Sequence, residues 1–228
     1  ADEWTAIDWR RSAKSQLLFV RENEWEAAES VWLWRDASAS MDYKSRFGNV
    51  SKSERATVLS LAVLSLLMRA GERIALMGEP WPPASGRVAL RRLAYRLTET
   101  MTGGASLPEP GRMPRYAKAV LVSDFLGPLD QWTALIADLG GRGVTGHLLQ
   151  VLDPAEEDLP FDGRTRFEGV EEPAAITFGR VAHRDTLRDT CRRFGWSFAA
   201  HRTDHAPATA LLALYGALAA HKPARAHA

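Results

Sequence analysis

The stretch Val31–Asp42, "VWLWRDASASMD", decides how the rest of the chain is read. A continuous run of large apolar residues of strand length is what a parallel strand buried on both faces requires. The run stops at Asp36, and serines follow at alternate positions, Ser38 and Ser40. A turn at that point can aim one carboxylate and two hydroxyls at a common spot. Such hard oxygen donors suit Mg²⁺, Ca²⁺ or Mn²⁺, and the absence of a soft ligand disfavours zinc.

Outward from this strand the chain alternates. Lys52–Arg69 reads as a long apolar helix stopped at Ala70-Gly71. "ERIALMGE" (72–79) reads as a strand and "SGRVALRRLAYRLTETM" (85–101) as an amphipathic helix with a basic outer face. After the Gly/Pro-rich loop 102–114 comes a second buried strand, "AKAVLVSDF" (117–125), which ends on Asp124. A helix (130–143), a strand ending at Asp153-Pro154, a helix (183–195), a strand (196–204) and a closing helix (207–221) complete the series. The alternating stretch 156–180 reads as a small β-hairpin excursion, and "SQLLFVREN" (15–23) as an edge or entry strand. The expected fold is therefore α/β: a doubly wound, mainly parallel sheet with helices on both faces. Its ligand site is expected at the carboxyl ends of the strands, where Asp36, Asp124 and Asp153 stand.

Composition narrows the function. The chain has 228 residues, 46% hydrophobic and 25% charged, with net charge +1. This is ordinary globular material with no global charge to attract nucleic acid or an anionic membrane. One cysteine, Cys191, excludes an intrachain disulfide and fits a reducing, cytoplasmic setting. The longest apolar run, Ala56–Met68, is too short to span a bilayer, which takes about 20 residues. The opening "ADEWTAIDW" has no initiator methionine and no signal-peptide pattern, so an upstream segment, and membrane association through it, stay open. His201 and His205, four apart at a strand end, are read as structural, and Asp153-Pro154 as a strand-ending turn. Trp32 and Trp34 are expected in the core; Trp4, Trp9 and Trp25 support an N-terminal segment, 1–29, that packs on a main domain of 30–222, with 223–228 a tail.

"LWRDASASM" resembles the metal-ion-dependent adhesion site of von Willebrand factor A domains. The stretches 4–41, "AVLVSDFLGPLDQW" (119–132), "VLDPAEEDLPFDGRTRFEG" (151–169) and 194–218 are similar to the bacterial branch known as domain of unknown function fifty-eight. That resemblance implies a protein-interaction module rather than an enzyme. It implies a Mg, Mn or Ca ion held directly by Ser38 and Ser40 at an exposed rim, with Asp36 and Asp124 as outer or water-bridged ligands. A partner's acidic side chain would fill the ion's open position. It also implies a MoxR-type AAA+ ATPase as partner. The family's threonine is replaced: "GGAS" (103–106) puts Ala105 there, and Ser106 is the oxygen that could substitute, with Thr102 the weaker candidate. The loss of that oxygen is expected to weaken the site.

A second reading keeps Asp36 as the nucleophile of a Mg²⁺-dependent phosphohydrolase or phosphotransferase. It needs a second nearby acid and a lysine, and the sequence does not place Lys44, Lys52 or Lys118 for that task. A third reading is a structural scaffold with a dead site.

Overall fold

The computed structural model describes residues 30–99, 103–158 and 179–220. The N-terminal segment, the 15–23 strand, Thr102, most of the expected hairpin and the tail lie outside the described residues. Five strands, β1 (Ser30–Arg35), β2 (Arg73–Leu76), β3 (Lys118–Ser123), β4 (Thr145–Leu152) and β5 (Ser197–Arg202), form one sheet in the order β2-β1-β3-β4-β5. Every neighbouring pair is parallel. The helices between them are α1 (Lys52–Arg69), α2 (Gly86–Glu99), α3 (Leu129–Gly141), α4 (Pro154–Asp158), α5 (Gly179–Arg193) and α6 (Pro207–Ala220).

The sequence explains the layering. All six residues of β1 and all six of β3 are buried, as their unbroken apolar runs require. Val31, Leu33, Val120 and Val122 face one way and pack with Leu59 and Leu64 of α1, Leu93 of α2 and Leu214 of α6. Trp32, Trp34, Ala119 and Leu121 face the other way and pack with Trp132 and Ile136 of α3 and Leu187 of α5. Trp34 meets Trp132 edge-on, ring centroids 5.8 Å apart, so the two strand tryptophans are core, as expected. Each such large side chain contributes roughly 1.5–3 kcal/mol by leaving water. The fold is the doubly wound α/β sheet read from the sequence.

The strand order reverses between β1 and β3. β2 lies on one side of β1, and the chain crosses over to place β3 on the other. Register pairs Arg35 with Val122, so Asp36 and Asp124 emerge side by side at the carboxyl edge. The Asp36 amide extends the ladder by donating to the Val122 carbonyl at 2.8 Å. One local reading changes: the start of the expected hairpin is the short helix α4. Asp153 caps it and accepts the Ala155 amide, Pro154 sits at its first position, and Glu156 reaches back to the Asp153 amide. Glu156 thus closes the reverse half of a capping box while Asp153 caps the second helical residue, an arrangement the alternating pattern of 156–180 hid.

Candidate functional site

Three strands end on buried carboxylates, Asp36, Asp124 and Asp153. Asp36 Oδ1 accepts the Ser38 amide at 2.8 Å, a side-chain turn that reverses the chain after β1. Its Oδ2 accepts the Ser123 hydroxyl at 2.6 Å, and Ser123 Oγ in turn accepts the Phe125 amide. Ser38 Oγ and Ser40 Oγ lie 3.2 Å apart, and the Ser40 hydroxyl bonds to Asp124. The loop at residue 36 and the terminus of β3 thus converge at one lip of the sheet. Burial, reinforced by the Asp124 charge, pushes the Asp36 carboxyl up to about 6.

Asp124 is presented by a strained turn. Phe125 holds a positive φ of 55°, a conformation that costs a non-glycine residue of order 1–2 kcal/mol. Phe125 is fully buried, stacks edge-on against Trp132 at 4.8 Å, and accepts a hydrogen bond from His183 Nε2 at 2.7 Å. Asp124 Oδ1 accepts the Leu126 amide, and Gln150 Nε2 donates to the Asp124 carbonyl.

The sequence names Lys52 only as an unplaced lysine; its role at this site is the part that sequence reading missed. Its Nζ donates to Asp124 Oδ2 at 2.7 Å and to Glu156 Oε1 at 2.8 Å, with all three side chains at most 5% exposed. Burial by itself would lower the ammonium's pKa. The Asp124 and Glu156 charges outweigh it and hold the group above its usual value. Burial likewise opposes the Asp124 carboxylate, but Lys52 keeps it below the ordinary range. Lys52 is the first residue of α1, behind a capping box made by Ser51 and Glu54. A lysine there faces the positive end of the helix dipole. That mismatch, and a glutamate three residues after Asp153, were the available signals.

From Glu156 the network reaches the loop after β1. Glu156 Oε2 accepts the Asp153 amide, and Asp153 Oδ2 accepts the Ser45 amide at 2.9 Å. Gly48 packs so closely that a Cβ there would stand 2.5 Å from Asp153 Oδ2. The Lys52 amide donates to the Tyr43 carbonyl, and Arg55 donates to the Thr203 carbonyl at 2.8 Å. The loop is pinned from below, while Lys44, Arg46 and Phe47 are exposed and Tyr43 is partly so, one side of its ring lying over Lys52 Nζ. The Arg46 guanidinium stacks on Phe47 at 4.7 Å.

Two expectations about the site change. Ser38 is 3% exposed and Ser40 half-buried, so the hydroxyls are not at an exposed rim; the turn that Asp36 ties to the Ser38 amide folds them inward. Ser106 is half-buried and makes no hydrogen bond to Ser38, Ser40, Asp36 or Asp124 among the described residues. Its loop is pinned one step away: the Gly104 amide donates to the Ala37 carbonyl, and a Cβ on Gly104 would stand 2.8 Å from the Ala37 Cβ. Ala105 is exposed and lines a cavity of about 160 Å³ with Trp34, Arg35 and Ala37. His201 is buried, its pKa driven down to about 4 chiefly by burial, while His205 is exposed. Burial pushes the Cys191 thiol up to about 12, which makes it a poor nucleophile.

Do these residues fit a divalent ion? The hydroxyl pair and Asp124 are the right donor type. The charge is not: Asp124 Oδ2 already carries an ammonium at contact distance, and Ala105, where the resemblance implies a threonine, offers no side-chain oxygen. Among the described residues, no cluster of three or more His, Cys, Asp or Glu is arranged to hold a metal. The site as built does not fit the ion that the resemblance implies.

No helix among the described residues is long and apolar enough to cross a membrane. An uncharacterized protein of Mycobacterium tuberculosis H37Rv, Rv1480, is 28% identical over 222 residues, covering 89% of this chain and 66% of that one. The chain thus spans just under two thirds of the curated relatives it matches. An aerotolerance-related membrane protein from Bacteroides fragilis superposes with TM-score 0.54 at 16% identity, over 84% of this chain and 99% of that one. The conserved hypothetical protein BatB from Bacteroides thetaiotaomicron gives 0.53 at 14%, over 84% and 98%. At such identities these likenesses speak to the fold alone. A family model described as "Protein of unknown function DUF58" matches residues 1–204. With the doubly wound parallel sheet now described, the chain belongs to this DUF58 family.

Proposed function

We propose that the carboxyl edge of this domain docks a protein partner, with the loop Tyr43–Phe47 as the contact. The resemblance to von Willebrand A domains read from "LWRDASASM" suggests an interaction module. The observation that carries the reading is the loop itself: two exposed aromatics and two exposed cations on a backbone anchored at Ser45 by Asp153, at Gly48 by close packing and at Tyr43 by the Lys52 amide. Tyrosine, phenylalanine and arginine are the residues enriched at interface centres, and a preformed loop loses little entropy on binding. Lys44 and Arg46 favour a partner segment that presents acidic side chains. The family resemblance adds a MoxR-type AAA+ ATPase as that partner.

The finer form of the resemblance has Ser38 and Ser40 hold Mg²⁺, Mn²⁺ or Ca²⁺, with Asp36 and Asp124 through water. Lys52 and Ala105 count against that form. The enzymatic alternative also weakens. Asp36 is buried with both oxygens accepting hydrogen bonds, and Lys52 serves Asp124 instead of Asp36.

The test is calorimetric titration of this domain with a purified MoxR-type ATPase from the same organism. Binding that falls at least about tenfold in Lys44→Glu with Arg46→Glu, and again in Tyr43→Ala with Phe47→Ala, supports the reading; a tenfold loss corresponds to about 1.4 kcal/mol. No binding, or binding indifferent to both pairs, contradicts it. Phosphoester hydrolysis with Mg²⁺, lost in Asp36→Asn, would favour the enzyme instead.

A further inference from the structure

We infer that Lys52 is a tethered cation that takes the divalent ion's place at this strand-end site, so the edge is assembled without metal. Its consequence for binding rests on the docking reading above; the inference itself does not.

Three observations carry it. First, the ammonium bridges carboxylates from two different strand ends, Asp124 after β3 and Glu156 after β4, in a site closed to water. Carboxylates in such a place need a counter-charge at contact distance, and Lys52 supplies it. Second, the ammonium is joined to the same hydroxyl pair an ion would use. Ser38 Oγ is 3.2 Å from Ser40 Oγ, Ser40 bonds to Asp124, and Asp124 Oδ2 is 2.7 Å from Nζ. An ion ligated by Asp124 Oδ2 at about 2.1 Å would lie within about 5 Å of the ammonium, where repulsion opposes it. Third, the lysine is delivered from the first turn of α1, against the helix dipole. The capping box, the Lys52 amide bond to the Tyr43 carbonyl and the Tyr43 ring 5.7 Å from Nζ fix it there. Ala105, where the resemblance implies a threonine, offers no side-chain oxygen, a ligand that a site run by lysine does not need.

The same lysine links the site to the docking loop. Its backbone holds Tyr43 and its side chain holds Glu156, which ties down Asp153 and through it Ser45. A divalent ion makes such links only when bound; Lys52 makes them permanently.

The experiment is a Mn²⁺ titration of the purified domain, stripped with EDTA, read by electron paramagnetic resonance of free Mn²⁺. The expected result is no saturable binding up to about 5 mM, beyond the range of weak extracellular-type sites. Saturable sub-millimolar binding that Ser38→Ala with Ser40→Ala abolishes would overturn the inference. The second arm uses Lys52→Ala. With the ammonium gone, Asp124 and Glu156 should accept Mn²⁺, and MnCl₂ should raise the variant's Tm by several degrees while leaving the parent unchanged. A folded Lys52→Ala that gains no Mn²⁺ response overturns the claim that both cations share one place. If that variant does not fold, the parent titration decides alone. Partner binding separates the two ideas: loss of binding with EDTA defeats the tethered cation, whereas no partner binding at all defeats only the docking reading.

Discussion

Lys52 Nζ lies 2.7 Å from Asp124 Oδ2, joining the first residue of α1 to the end of β3 across 72 positions of sequence. The pair is buried, and its removal from water is offset because the ammonium donates a second hydrogen bond, to Glu156 Oε1 at 2.8 Å.

Lys52→Met leaves two buried carboxylates without a counter-charge. It should destabilise the domain by about 3–5 kcal/mol in urea unfolding. Adding Asp124→Asn and Glu156→Gln should recover part of that loss, because the three changes act on one network. A Lys52→Met domain within about 1 kcal/mol of the parent would show that the triad is not the counter-charge it is taken for.

Asp36 gives a pH dependence of opposite sign to the usual carboxylate. Its folded pKa, about 6, is above the reference value of 3.8, so the native state binds a proton more tightly than the unfolded chain. The stability from this group is full below about pH 4 and is lost as pH rises to about 6, up to about 3 kcal/mol. Asp124, held below its usual value, contributes stability that is present at neutral pH and lost only in stronger acid. Asp36→Asn should therefore gain stability relative to the parent between pH 4 and pH 7, read as a growing difference in Tm. A constant difference across that range would show that burial does not raise the Asp36 carboxyl in the folded state.

The hydroxyls behave as structural groups with one open side. Ser38→Ala with Ser40→Ala removes their mutual contact and the Ser40 bond to Asp124. A loss of about 1–3 kcal/mol is expected, with circular dichroism unchanged. Global unfolding would mean the turn depends on them far more than on Asp36 and Ser123.

Gly48→Ala drives a methyl toward Asp153 Oδ2 and Thr203 Oγ1. The loop must lift, which loosens the Ser45–Asp153 bond. Stability should fall by about 1–3 kcal/mol, and partner binding should fall more than Tm alone explains. A neutral Gly48→Ala in both assays would show that the loop is free to move without consequence.

The fold was legible because its signals are local and repeated. The runs through β1 and β3 read as doubly buried strands, and Asp36 and Asp124 as strand ends, from apolar content and its abrupt stop. Their convergence follows from a parallel sheet with β1 beside β3. Lys52 was not legible in the same way, because its partners lie 72 and 104 residues away and nothing local to "SKSER" names them. Asp153-Pro154 was read as a turn, and the turn is there. Its extension into α4 with Glu156 as capping partner needed the reciprocal bond to be seen. The inward tilt of Ser38 likewise depends on one amide bonding to Asp36, which spacing alone does not reveal.

The most direct measurement is an anomalous difference map from crystals of this domain grown in MnCl₂. The account predicts no peak at the Ser38–Ser40 hydroxyl pair, and Lys52 Nζ bonded to both Asp124 and Glu156. A manganese peak ligated by those hydroxyls, with the lysine swung away from Asp124, would contradict it.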